Sequence, residues 1–171
     1  MIATLTQTTR LLLLALLTMS IVACGFQLRG QVDIPTSLMT LTMTSDSGSD
    51  TFDKSLRIAL TKAGISVIDK SLATQDTLEL KVNKITSSDI VLARDSSNDV
   101  SQLQRTLNSN YFIRQANGKS VYGPRKISTN KTLSNQNNEA SSVLSYNASQ
   151  TETMHDDLAK QLIYDLSYAP L

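Results

Sequence analysis

The chain has 171 residues, enough for one domain of ordinary size and not obviously for two. Its 16 Lys and Arg against 15 Asp and Glu leave a formal charge of +1, so no global basic field points to nucleic acid as a partner. A single cysteine excludes a disulfide framework, and with a single histidine it excludes any zinc site that needs several Cys or His ligands.

The N-terminus is the most informative stretch. Met1 to Arg10 carries no acid and ends on one positive charge, and Leu11 to Val22 is an unbroken apolar-rich run. A helix that short does not cross an ordinary bilayer, but it has the proportions of a secretory signal. An uncleaved anchor or a plain signal cut elsewhere would read similarly. The junction Ile21-Val22-Ala23-Cys24 separates them, because it resembles the bacterial lipobox, in which a small residue precedes a cysteine that is acylated before the peptidase cuts. The lone cysteine also has no second cysteine to pair with. Residues 1–23 are therefore expected to be a cleaved signal. Cys24 is expected to carry N-acyl and S-diacylglycerol groups, with no other cofactor, and such chains anchor a protein stably. Gly25 is not the aspartate that resembles an inner-membrane retention signal in enteric bacteria, so the expected destination is the outer membrane.

Residues 24–37 read as an extended lead-in and 38–171 as a single domain. Leu38 to Met43 alternates as a short strand, with Leu38 on the side of Thr40 and Thr42. After a turn at 45–49, Asp50 is placed to cap a helix with Asp53 near a capping-box position. Phe52, Leu56, Leu60 and Ala63 form its apolar stripe, and Gly64 stops it. Ile65 to Asp69 resumes as a strand. From Thr77 the period is two, in a strand expected to run on to about Leu92. Arg94 to Asp99 is a polar loop. The next strand carries Leu103, Leu107, Tyr111 and Ile113 on one face and Gln104, Thr106, Asn108, Asn110 and Arg114 mostly on the other. Asn117-Gly118 marks a turn, and Val121 to Leu133 a further strand in which Pro124 points to an edge or a bulge. Asn137 or Asn138 opens the last helix, striped by Met154, Leu158, Leu162 and Leu166, with a serine-rich first half that leaves room for a break. The sum is an α+β two-layer sandwich, two helices on one face of a mixed, mostly antiparallel sheet of four to five strands.

Chemistry is sparse along this chain. His155 sits among Met154, Asp156 and Asp157 with no nucleophile placed beside it, and reads as a solvated helix residue. Ser128 to Lys131 spells S-x-x-K, but the companion elements of acylating enzymes are missing. No glycine-rich loop resembles a nucleotide fingerprint, and Asp95 to Asp99 lacks the spacing of an EF-hand. No catalytic residue and no metal ligand set is expected, so an enzyme is not. Arg94, Arg105, Arg125 and Lys126 on successive strands form either a cationic strip or ordinary edge protection, and the second reading is favoured. Arg105, between Leu103 and Leu107, must be wet or paired.

Directly after the cysteine the chain reads Cys24-Gly25-Phe26-Gln27-Leu28-Arg29-Gly30. This resembles the mature start of the LPS-assembly lipoprotein LptE family. Residues 157–166, DLAKQLIYDL, are similar to that family's closing helix. The resemblance covers the mature chain in layout, and the opening heptad and final helix in residues. It implies a non-enzymatic lipoprotein that plugs the LptD β-barrel of the outer membrane as a heterodimer, assists its assembly and helps deliver lipopolysaccharide. It also implies lipopolysaccharide contact through basic residues, one after the long strand and one near the start of the last helix. Arg94 falls at the first position. The second has no match in residues 140–144, ASSVL, which leaves Arg125, Lys126 or Lys131 as substitutes. The alternative reading is a lipid-anchored assembly factor of another envelope machine, without lipopolysaccharide binding.

Overall fold

A computed structural model describes residues 33–134 and 140–171, which belong to the unit Val32–Leu171. The signal, Cys24, the opening heptad and the expected helix start at Asn137 or Asn138 lie outside the described residues. The chain enters through buried Ile34 and a single 3-10 turn, Thr36–Leu38, in which the Leu38 amide donates to the Pro35 carbonyl at 2.9 Å. Leu38 is wholly buried by that turn and does not join the threonine face expected for it. Strand β1 starts later, at Thr40–Ser45, with Leu41 turned into the core.

Helix α1 spans Asp50–Lys62. Its cap is Ser49, not Asp50: the Ser49 hydroxyl accepts from the Phe52 amide at 3.3 Å. Asp53 instead takes the hydroxyls of Ser45 at 2.6 Å and Ser47 at 2.8 Å, which ties the end of β1 to the first turn of the helix. Phe52, Leu56 and Leu60 are buried along one stripe. At the far end Ile65 N donates to Leu60 O at 2.9 Å and Gly64 N to Thr61 O at 3.0 Å, a Schellman closure that requires the positive φ of Gly64, 82°.

Strand β2, Ser66–Ile68, runs parallel to β1, and β1 runs parallel to β3, Leu78–Val82. The expected long strand from Thr77 divides here. Val82 stands opposite Tyr111 and Thr86 opposite Asn108, so one chain advances four residues while its partner advances three. The extra residue is a bulge. It is fixed by the Asn83 amide on Asn110 O at 2.9 Å, the Ser109 hydroxyl on Asn83 O at 2.7 Å and the Ile85 amide on Ser47 O at 3.0 Å. The bulge reverses the alternation. Leu80 and Val82 face the helices, whereas Ser88 and Ile90 of β4, Thr86–Arg94, lie on the opposite face.

Strand β5, Val100–Arg114, therefore carries β3 and β4 end to end along one side and β6, Ser120–Ser134, along the other. The split raises the sheet to six strands, and the two-layer α+β architecture stands as expected. Pro124 lies on β6, an edge strand with register shifts, where a Cβ on Gly123 would meet the Tyr111 carbonyl at 2.7 Å. Helix α2, Ala140–Leu166, is continuous, so the serine-rich first half that left room for a break does not break. It runs antiparallel to β6, with Asp165 beside Arg125, Gln161 beside Ser128 and Asn147 beside Ser134.

The core fills only one part of this frame. Phe52, Leu56, Leu60, Leu80, Val82, Tyr111, Ile113, Ile127, Met154, Leu158 and Leu162 pack between sheet and helices. Beyond Leu107 the sheet continues as a three-stranded blade of β4 with the first half of β5 and the second half of β6. The molecule thus has a base, where the chain enters and α2 ends, and a tip at the Asp95–Asp99 turn.

Candidate functional site

Among the described residues, nothing covers the sheet face opposite the helices. Register sets its side chains in rows across β4, β5 and β6: Thr86, Asn108 and Ser128; Ser88, Thr106 and Asn130; Ile90, Gln104 and Thr132. None of these residues is buried. Alternation assigns eight uncharged polar residues to one plane because the core-facing positions of the same strands take the apolar ones. The side chains spend little on one another. Gln104 Nε2 donates to Asn130 Oδ1 at 3.3 Å, and Thr86 Oγ1 to Asn108 O at 3.3 Å. What these rows offer is a flat array of donors and acceptors without a carboxylate. Among the described residues, the acids on that side lie off these rows: Asp46 pairs with Lys81 of β3, and further along β3 stands Glu79. Burial pushes its carboxyl up, but the Thr44 hydroxyl with Arg114 and Lys70 outweighs burial and leaves it below the ordinary range.

On the helix-side face the cations are neutralised. Arg105 makes a two-pronged pair with Asp89 at 2.9 and 2.6 Å, which holds that carboxyl below its usual value. Lys131, directly opposite Arg105, reaches Asp157 of α2 at 3.3 Å. The row therefore reads acid, base, base, acid from β4 to α2. Toward the base, Asp165 takes Arg125 at 2.9 and 2.6 Å and the hydroxyl of fully buried Tyr111 at 2.7 Å. Arg125, and after it Tyr111, keep the Asp165 carboxyl low against burial. Burial, reinforced by Asp165, drives the Tyr111 hydroxyl far above its ordinary value. Arg125 also lies 5.6 Å from the Tyr122 ring centre.

The cations expected to contact lipopolysaccharide are thus not brought together. Arg94 stands at the tip, exposed, with Nη1 on Asn98 O at 2.8 Å. Lys126 is exposed on the open face opposite Asn110. Arg125 and Lys131 face the helices and are held by α2. Cys24 lies outside the described residues. Asp95 accepts from the amides of Ser97 and Asp99, each at 2.9 Å, so the D-S-S-N-D stretch is a hydrogen-bonded turn. Ser128 and Lys131 fall on opposite faces of β6, which separates the two ends of the S-x-x-K string. His155 departs from the solvated reading. It packs between the helices with Nε2 3.4 Å from Ser49 Oγ and Nδ1 buried without a partner, and burial lowers its pKa. The Ser-, Thr- and Asn-rich strands imply an uncovered polar sheet face, but not which residues of β4 and β6 stand in its rows. Its signal was the alternation of Gln104, Thr106, Asn108 and Asn110, which predicts the face but not the neighbours that extend it.

No family model matches this sequence, and no curated protein matches it. The fold is nevertheless shared with solved structures. A minor lipoprotein of Acinetobacter baumannii superposes with a TM-score of 0.65 at 17% identity, covering 78% of this chain and 93% of that one. Lipoprotein B of Nitrosomonas europaea gives 0.65 at 17% identity over 84% and 90%. The rare lipoprotein B of Shewanella oneidensis gives 0.62 at 12% identity over 75% and 93%. At these identities the likeness is one of fold.

Proposed function

We propose that this chain is an outer-membrane lipoprotein, acylated on Cys24, that plugs a large β-barrel of the LptD kind, assists its assembly and helps pass lipopolysaccharide to the outer leaflet. The observation that carries the reading is the uncovered, carboxylate-free polar face of β4–β6. The interior of such barrels is itself polar and wet, and a plug needs a surface that trades water for hydrogen bonds without burying unpaired charge. Size agrees. The 15 residues of β5 span about 50 Å, against about 40–45 Å for a bilayer with its headgroups. The solved proteins that share the fold are named as lipoproteins, and the lipobox-like junction gives this chain the same kind of anchor. In this reading the protein performs no reaction of its own, and of the four candidate cations Arg94 at the tip and Lys126 on the open face are the two that no ion pair among the described residues holds.

The test is co-purification. A C-terminally tagged chain extracted from membranes in mild detergent is expected to bring down a stoichiometric large β-barrel. Recovery of the acylated protein alone, or with a different envelope machine, overturns the plug. The ligand role is tested separately by Arg94→Glu. It is expected to weaken binding to isolated lipopolysaccharide more than barrel association, and equal loss of both removes the role.

A further inference from the structure

We infer that the base of the domain rests on the bilayer that holds the anchor, with Tyr164 and Tyr168 at the headgroup interface; the inference depends on the acylation of Cys24 proposed above. Register and bonding define the base. Thr40 lies beside Ser66 and Leu41 beside Leu78, so β1, β2 and β3 begin at one end. Glu79 faces Arg114 and Arg114 faces Ser120, so β5 ends and β6 begins there. The Asp165 bonds to Tyr111 and Arg125 bring the last turn of α2 to the same end.

The chain reaches this end from Cys24 through nine residues, which extend to about 30 Å at most. A lipid on Cys24 therefore confines the base to within that distance of the membrane. The tip is not so confined, since Tyr146 stands 18 residues back along α2 from Tyr164, about 27 Å away.

What the base presents fits an interface. Tyr164 and Tyr168 are 59% and 66% exposed, far more than aromatic rings need be on a helix with a core to join. They stack edge to face at 5.1 Å and spend their hydroxyls on each other, Oη to Oη 3.1 Å. Leu171, three residues past Tyr168, is exposed, and Lys119 lies exposed in the β5–β6 turn at the same end. Exposed amphipathic rings with a lysine at the same end of the domain are a composition that headgroup layers accept.

The chain contains no tryptophan, so Tyr168→Trp introduces a single reporter. The acylated full chain carrying it is reconstituted into phosphatidylethanolamine/phosphatidylglycerol vesicles whose acyl chains are brominated near the headgroup. Blue-shifted emission and quenching several-fold stronger than for Tyr146→Trp are expected. An acylated Tyr168→Trp protein whose indole is unquenched, or quenched no more than that of Tyr146→Trp, overturns the inference while leaving the anchor intact. So does emission that shifts only when the barrel partner is added and bromine still fails to quench it, for the pair is then a protein contact. The mass of the Cys24 peptide is measured on the same preparation. Absence of lipid there overturns the proposed function, and this inference with it.

Discussion

The base half and the blade half of the sheet share strands β5 and β6 but are held together differently. Within β5 alone, Leu107, Ser109, Tyr111 and Ile113 are buried on the helix side, whereas Leu103 and Arg105 on that same side are only partly covered. The base half rests on packing between sheet and two helices. The blade rests on strand ladders, on charge pairs and on one buried apolar side chain among the described residues, Leu133, with every residue of β4 except Ala93 exposed. Such a division means that stability and recognition are assigned to different lengths of the same strands. The helices fold the base, and the base holds the blade out as a rigid, hydrogen-bonding plate on rigid elements.

The comparison breaks most visibly at Phe52. This ring is fully buried beneath α1, and Phe52→Ala removes its contacts and leaves a cavity. A loss of about 3–5 kcal/mol is expected, read as a lower urea midpoint with an unchanged slope. A loss below about 1 kcal/mol would show that the base is not the stabilising half.

Asp165 is the next test, because it ties β6 to α2 at the base. Asp165→Ala strands the buried Tyr111 hydroxyl and releases Arg125, at an expected cost of about 1–3 kcal/mol. The bond has a pH signature. Its carboxyl titrates below the ordinary 3.8 in the fold, so its contribution is complete above that value and is lost as pH falls beneath it. Wild type and variant stabilities should therefore converge in acid, and parallel profiles down to about pH 2 would remove the carboxylate from the account.

Much of the base was legible in the sequence, and the blade was not. The stripe of Phe52, Leu56 and Leu60 with the Gly64 stop is local, and each residue argues for the same helix. The faces of β5 were legible for the same reason, down to the demand that Arg105 be wet or paired, which Asp89 meets. The bulge was not. Nothing in T-L-E-L-K-V-N-K-I-T-S-S marks the residue that steps out, because the bonds that fix it come from Ser47, Ser109 and Asn110, distant in sequence. A continuous strand would have put Ile90 beside Leu80 in the core, so one unread residue reverses the faces of β4 from Thr86 to Val91. The cap at Ser49 was missed similarly, since Asp53 is claimed by hydroxyls of the preceding strand end and loop. For the candidate site, the cations were visible as residues, but their neutralisation depended on Asp157 and Asp165 arriving from the last helix.

The finest test lies in the blade, where Asp89 and Arg105 pair with about a third of each side chain exposed. Solvent screens such a pair, and its coupling in a double-mutant cycle is expected at about 0.2–1 kcal/mol, shrinking as salt rises. The two single variants should not be equal. Arg105 stands directly across from Lys131, so Asp89→Asn leaves two like charges opposed, with only Asp157 on the far side to offset them. Arg105→Gln instead relieves that opposition while it removes the pair. Asp89→Asn is therefore expected to be the more destabilising of the two, and the gap between them should close in high salt or in a Lys131→Gln background. Equal effects in both backgrounds would mean that the row is not coupled across the strands. A loss above about 2 kcal/mol from either variant would mean that the blade is packed like the base, and the division between a folding half and a presenting half would fail.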